Sequence, residues 1–79
     1  MADVKEMVAE IARALVEKPD AVEVRETKGE HGSVLELKVA NEDIGKVIGK
    51  QGRTARSIRT MLAAVGERVN RRCSLEILE

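Results

Sequence analysis

The residue types with an evident chemical use are gathered between residues 44 and 62. Here Gly49 and Gly52 enclose Lys50 and Gln51, and the surrounding residues add four further cations but no carboxylate. Glycines let the backbone turn sharply and let a phosphodiester come close without meeting a Cβ. The free amides and positive dipole end of a following helix favour an anion at the same point. The pattern therefore predicts a contact site for a phosphate backbone.

Other phosphate-binding and catalytic motifs do not fit this chain. A Walker A loop has four residues between its glycines and then Lys and Ser or Thr, whereas Gly45 and Gly49 enclose three residues and Gln51 follows Lys50. A G-x-G-x-x-G motif, a Ser/His/Asp set and paired carboxylates are also missing. The single Cys73 and single His31 exclude an internal disulfide and a metal-ligand cluster. We expect no catalytic activity, no cofactor and no metal site.

The charge distribution is asymmetric although the formal net charge of the 79 residues is zero. Residues 1–43 carry 11 acidic and 6 basic side chains, a net charge of −5. Residues 44–72 carry 8 basic side chains and one acid, Glu67, a net charge of +7. One basic segment is therefore available to a polyanion even though the total charge does not indicate one.

Aromatic residues are absent. RRM, cold-shock and most OB-type sites stack bases on aromatic side chains, so these classes are disfavoured. The N-terminal residues alternate charged and apolar side chains without a continuous apolar run, which is unlike a signal peptide or a membrane span. We expect a cytoplasmic protein.

The first half of the chain predicts one helix and a hairpin. Apolar side chains recur at helical spacing from Val4 to Leu15, and Asp3 with Glu6 three residues later resembles a capping box. Pro19 ends this helix because the residue before a proline is pushed out of the α region. Two runs of period-2 alternation, 21–27 and 33–40, flank a glycine-containing connection and predict a β-hairpin.

The second half predicts two helices and a third strand. Asn41 is placed to cap a short helix, and a longer helix begins near Arg53 and ends near Gly66. Residues 73–79 alternate as a strand. The resulting α-β-β-α-α-β order predicts a single α+β domain over residues 1–79, with a three-stranded sheet and the helices on one face.

Helical geometry separates an apolar stripe from a basic strip on the longer helix. Ala55, Ile58, Leu62 and Val65 lie within about 80° of one another and predict the buried side. The side chains of Arg53, Arg56 and Thr60 project from the opposite side, and Arg59 lies at the border. The loop and the outer helix face would form one continuous cationic strip.

The segment VIGKQGRTARSI resembles the (I/V)-I-G-x-x-G-x-x-x-x-x-I signature of the KH domain. The predicted element order is that of the type II, bacterial variety, whose sheet is mixed. In size, order and motif, essentially the whole chain is similar to the small single-domain bacterial KH proteins of the KhpA family. The resemblance implies binding of four nucleotides of single-stranded RNA or DNA, with the G-x-x-G loop on the backbone. It also implies an RNA-chaperone or post-transcriptional role, pairing with itself or with a larger multidomain KH protein (KhpB), and in some bacteria an influence on cell-wall growth, cell shape and division.

Carried over to this chain, the resemblance implies an RNA-contacting segment that comprises the G-x-x-G loop and its flanks. Some of the aliphatic signature positions Val47, Ile48 and Ile58 would form the groove floor, beside an edge strand expected at 33–40. The predicted RNA-binding residues are Lys46, Val47, Ile48, Gly49, Lys50, Gln51, Gly52, Arg53, Thr54 and Arg56.

Two alternative interpretations remain open. A helix-turn-helix protein could place residues 53–62 in the major groove of DNA, but this leaves the hairpin and the last strand unused. A KH-shaped protein-interaction module could have lost nucleic-acid binding. Such modules usually lose the second glycine or gain an acid in the loop, and neither change is present here.

Overall fold

The computed structural model describes residues 4–79, and the element order within them is α-β-β-α-α-β. This confirms the predicted order of a type II KH domain. Asp3, the proposed capping residue, lies outside the described residues. No helix within the described part of the chain is long and apolar enough to cross a membrane. The elements are α1 (Val4–Leu15), β1 (Glu23–Lys28), β2 (Gly32–Lys38), α2 (Ile44–Ile48), α3 (Arg53–Arg68) and β3 (Arg72–Ile77), with 3-10 turns at Pro19–Ala21, Asn41–Asp43 and Lys50–Gly52.

The three strands form a mixed sheet in which β2 is central. It pairs antiparallel with β1 and parallel with β3, so that Leu35 lies opposite Glu26 on one side and Leu75 on the other. A parallel pair needs a long crossover connection, and α2 and α3 provide it. The expectation that 33–40 forms an edge strand is therefore wrong. The edge strand on the side of the helical crossover is β3.

The helices cover one face of this sheet. The side chains of Leu35, Leu37 and Leu75 point to that face and are buried together with Val8 of α1 and Ile58 of α3. Alternate residues on the opposite face, such as Val34 and Ser74, are exposed. The alternation predicted from sequence thus gives one buried and one solvated sheet face.

The ends of the helices differ from the sequence-based expectation. The α1 helix ends at Leu15, several residues before Pro19, and Leu15 is 38% exposed while Ala9 is buried. Asn41 is the first residue of a 3-10 turn and caps nothing with its side chain; the N-cap position of α2 belongs to Asp43. The capping assignment of Asn41 is therefore wrong.

Gly66 does not end the long helix, which continues to Arg68. A Cβ added at Gly66 would lie 2.3 Å from the carbonyl oxygen of Arg71. The left-handed residue after the helix is Asn70, with φ of 56°. Gly66 therefore does not end the helix. It lets the returning chain pack closely against the helix.

Candidate nucleic-acid interface

The G-x-x-G segment forms a single 3-10 turn between α2 and α3. Gly49 has φ of 79° and ψ of 171°, and Gly52 has φ of 76° and ψ of 12°, which are conformations that side chains disfavour. A Cβ at Gly49 would also lie 2.2 Å from Oγ1 of Thr54, whereas one at Gly52 would meet nothing within 4 Å. The first glycine therefore permits both the turn and its packing, and the second permits the turn alone.

The two middle residues of the loop lie at its tip. Lys50 and Gln51 are both exposed, and Gln51 adopts a left-handed backbone with φ of 57°. The amide of Gly52 donates to the carbonyl of Gly49 at 3.1 Å, which closes the turn. The tip thus presents one cation and one neutral polar side chain on a short, internally bonded turn.

The start of α3 adds positive potential directly behind the loop. Gly52 is its N-cap residue and provides no side-chain hydrogen bond to the first amides. Arg53 and Arg56 are exposed on the helix that follows, and Thr54 is half-buried against Gly49. The positive dipole end of the helix together with two guanidinium groups favours an anion at this point.

A groove of about 430 Å³ runs from this loop between α3 and β3. Its lining includes Ile48 from α2, Gly52 from the loop, Ala55 and Arg59 from α3, and Leu75 from β3. Nε of Arg59 donates to the carbonyl oxygen of Leu75 at 3.4 Å, so this arginine spans the groove. The strand beside the groove is therefore β3, and not the 33–40 strand expected from sequence.

The structure brings most of the predicted residues to this surface and places one elsewhere. Ile48 lines the groove, but the side chain of Val47 has no exposed area and belongs to the hydrophobic core. Val47 therefore packs α2 against the core and cannot reach a ligand. Arg59, absent from the predicted set, lies in the groove. Its position three residues after Arg56 and six after Arg53 was the available signal.

A buried carboxylate fixes the helix that leads into the loop. Asp43 is fully buried, and its two carboxylate oxygens accept the backbone N–H groups of Glu17 and Lys18 at 3.2 and 3.0 Å. Nζ of Lys46 lies 3.5 Å from the same carboxylate. Asp43 thus links the segment after α1 to the start of α2 by hydrogen bonds, and it forms an ion pair with Lys46. Sequence reasoning missed this residue.

The environment of Asp43 lowers its pKa. Burial alone would raise the pKa, but the two backbone N–H donors and the nearby Lys46 ammonium together outweigh it. Because the folded-state pKa lies below its ordinary value of 3.8, the carboxylate stabilises the fold fully above that value. This stabilisation is lost as the pH falls through the folded-state pKa.

We expect Asp43→Asn to lower the melting temperature by about 10 °C or more at pH 7. The amide can accept only one of the two N–H groups, and its own NH₂ group faces the other donor. The variant should also lose less stability than the parent as the pH falls below 3.8, which thermal melts followed by circular dichroism can measure. The exposed neighbour Glu42 provides a control, and Glu42→Gln should melt within a few degrees of the parent. An Asp43→Asn protein with the melting temperature and acid response of the parent would contradict this account.

The sequence is similar to that of known bacterial proteins over almost its whole length. The family described as KhpA/KhpB, KH domain, matches residues 5–77. The chain is 51% identical over 75 residues to the RNA-binding protein KhpA of Chlamydia pneumoniae, covering 95% of this chain and 96% of that protein. It is 53% identical over 73 residues to the RNA-binding protein KhpA of Caldanaerobacter subterraneus, covering 92% and 97%. With the protein of the same name from Clostridium acetobutylicum, identity is 51% over 74 residues, covering 94% and 99%.

Proposed function

The chain belongs to the KhpA/KhpB family of KH domains, and from this premise we propose that it binds single-stranded RNA through the G-x-x-G loop and the adjoining groove. KH domains are binding modules and not enzymes, in keeping with the predicted lack of catalysis. The observation that carries the proposal is the exposed turn at Gly49–Gly52. Its two positive-φ glycines leave the backbone open to a phosphodiester at the N-terminus of α3.

The phosphate backbone would lie against the loop. Lys50 and Arg53 are exposed on either side of the turn and would neutralise adjacent phosphates. Because Gly49 and Gly52 lack a Cβ, a phosphate oxygen can reach main-chain amides that other residues would shield. Held in this way, the strand would direct its bases toward the groove beside the loop.

The bases would then lie on an aliphatic surface. Ile48 is half-buried and offers apolar contact where many RNA-binding folds use aromatic rings. The small exposed parts of Ala55 and Leu75 also line the groove. Among residues 4–79, no strand pairs with the edge of β3 that faces away from β2. Its main-chain groups are therefore available to base edges, and Arg59 already bonds one of these carbonyls.

The residues proposed to contact RNA follow from exposure and position. Val47 is given a supporting role because it is buried, and Arg59 is added because it spans the groove. The proposed contact set is Lys46, Ile48, Gly49, Lys50, Gln51, Gly52, Arg53, Thr54, Arg56 and Arg59. Most of these residues would contact the sugar-phosphate backbone of the RNA, so we expect low sequence selectivity. Single-stranded DNA would then be a second ligand.

Assembly is part of the same proposal. We treat residues 1–79 as one KH domain, and one KH groove holds about four nucleotides. A single groove binds weakly, and a second linked groove raises avidity through effective concentration. We therefore propose a homodimer or a pairing with a larger KhpB-like KH protein. A cytoplasmic RNA-chaperone or regulatory role, with an influence on cell shape and wall growth, rests on the family resemblance.

Competition between nucleic acids tests the function. A fluorescent single-stranded RNA bound to the protein should be displaced by unlabelled single-stranded RNA of equal length to the duplex DNA competitor. The RNA concentration needed should be lower than the duplex DNA concentration by about tenfold or more. The reason is that the groove accepts unpaired bases, whose edges and faces a duplex conceals. A helix-turn-helix protein would show the reverse order. Stronger displacement by duplex DNA would therefore reject the proposal in favour of that alternative.

A further inference from the structure

A second and larger depression, of about 820 Å³, lies at the other end of α3. It is bordered by the last turn of α3, by the turn that leads into β3 and by the tip of the β1–β2 hairpin. The residues that matter here are His31 from the hairpin, Glu67 from α3, Asn70 and Arg71 from the connecting turn, and Arg72 from the start of β3. We refer to it as the distal pocket. It is separate from the G-x-x-G loop.

Backbone hydrogen bonds anchor the main chain at Arg71 and Arg72 to both of its neighbours. The amide of Arg71 donates to the carbonyl of Gly66 at 2.8 Å, and the amide of Arg72 donates to the carbonyl of His31 at 3.2 Å. The missing side chain of Gly66 lets the carbonyl of Arg71 approach the helix closely. The arginine pair is therefore fixed between helix and hairpin and does not sit on a free loop.

The lining of the distal pocket has a net positive charge and includes no large apolar side chain. Arg71 and Arg72 are both exposed, and one acid, Glu67, lies among the lining residues. Exposed large apolar side chains such as Val34 and Met61 are not in its lining. A protein-docking surface would be expected to bury such side chains. Guanidinium groups instead suit phosphates, and their planes stack on bases, which is useful in a chain without aromatic residues.

The distal pocket and the RNA groove lie along the same boundary, between α3 and β3. Because β3 follows α3 and returns beside it, the groove borders the first half of α3 and the end of β3. The distal pocket borders the second half of α3 and the start of β3. Ala55 in the groove and Gly66 in the distal pocket are separated by roughly 16 Å of helix. Arg59, bonded to Leu75, lines the end of the groove that is nearer to the distal pocket.

We infer that the distal pocket holds the continuation of the RNA strand, beyond the nucleotides in the G-x-x-G groove. Arg71 and Arg72 contact phosphates of that continuation or stack on its bases, and the Arg59–Leu75 bridge marks the passage between the two sites. This inference rests on the proposed function, since it extends the same RNA path. It predicts that affinity depends on RNA length past the four nucleotides of one KH groove.

The test compares Arg71→Gln/Arg72→Gln with a control of equal charge change, Arg25→Gln/Lys38→Gln. The control residues are exposed on the sheet face opposite the helices. Each protein is titrated with an RNA of four nucleotides and with one of about 12. The parent and the control should show the same ratio of affinities for the two lengths. A longer RNA offers several overlapping positions to one binding site, which raises the apparent affinity of every protein by the same factor. This effect therefore cancels in the comparison.

For the arginine variant, the gain with length should shrink about tenfold, while binding of the short RNA stays close to that of the control. The slope of log affinity against log salt on the longer RNA should become shallower by about 1.4, since each phosphate contact in a single strand contributes about 0.7. An unchanged length ratio and slope would overturn the inference while leaving the proposed function intact. Absence of binding to either RNA by the folded parent would instead overturn the proposed function.

Discussion

Lys50→Asp/Gln51→Asp is expected to bind single-stranded RNA roughly tenfold or more weakly than the parent at moderate salt, with a shallower salt dependence. The double change removes one cation and adds two carboxylates where the phosphodiester approaches. The fold should be preserved, because both side chains are exposed at the loop tip and surface changes usually cost within about 0.5 kcal/mol. Asp also tolerates the left-handed backbone of position 51 better than most residues. Fluorescence anisotropy over a salt series measures both quantities.

A matched control separates a local effect from a change in total charge. Arg25→Asp/Thr27→Asp also removes one cation and adds two carboxylates, at exposed positions of β1 on the sheet. We expect this control to bind RNA within a few-fold of the parent, because the intervening distance and salt screen the added charge. If the loop variant is folded and binds as tightly as this control, the loop does not hold the phosphate backbone.

Ile58→Asp is expected to unfold the protein. Ile58 lies on the buried side of α3, is 2% exposed and packs in the core with residues of β2 and β3. An aspartate there buries a charge without a partner, which typically costs more than about 4 kcal/mol. Small domains have total stabilities of about 5–15 kcal/mol, with the smallest domains near the lower limit. Circular dichroism at 25 °C should show a lost helix signal, and thermal melts should show no cooperative transition.

Ile58→Val provides the conservative comparison at the same position. It removes one methylene group and should cost about 0.5–1.5 kcal/mol, so the protein stays folded and binds RNA nearly as the parent does. A folded Ile58→Asp protein that melts near the parent temperature would mean that α3 does not pack on the sheet through this face. The orientation of the cationic strip would then have to be reassigned.

Local features of the site could be predicted from the sequence because they depend on residue type over a few positions. The positive-φ turn follows from Gly49 and Gly52, and the separation of Arg53 and Arg56 from Ile58 follows from helical periodicity. The buried stripe of α3 was likewise predicted, with Ala55 and Leu62 both buried in the structure. These features need no knowledge of distant parts of the chain.

Features that depend on contacts between distant segments could not be predicted in this way. Period-2 alternation marks a strand but not its neighbours, so the central strand β2 was wrongly assigned to an edge of the sheet. The role of Asp43 depends on amides of Glu17 and Lys18, 26 and 25 residues away in sequence. Gly66 matched the pattern of a helix end, whereas its actual neighbour is the returning carbonyl of Arg71. Each of these features is decided by tertiary packing.

The central claim is that RNA lies on the G-x-x-G loop and in the groove between α3 and β3. The most direct measurement is a titration of isotope-labelled protein with a short single-stranded RNA, in which the amide resonance of every residue is followed by NMR. We predict the largest shifts at Gly49–Arg53 and at Leu75–Ile77, with small shifts on the outer sheet face around Arg25 and Val34. Saturable shifts confined to the outer sheet face, with the loop amides unmoved, would contradict the claim.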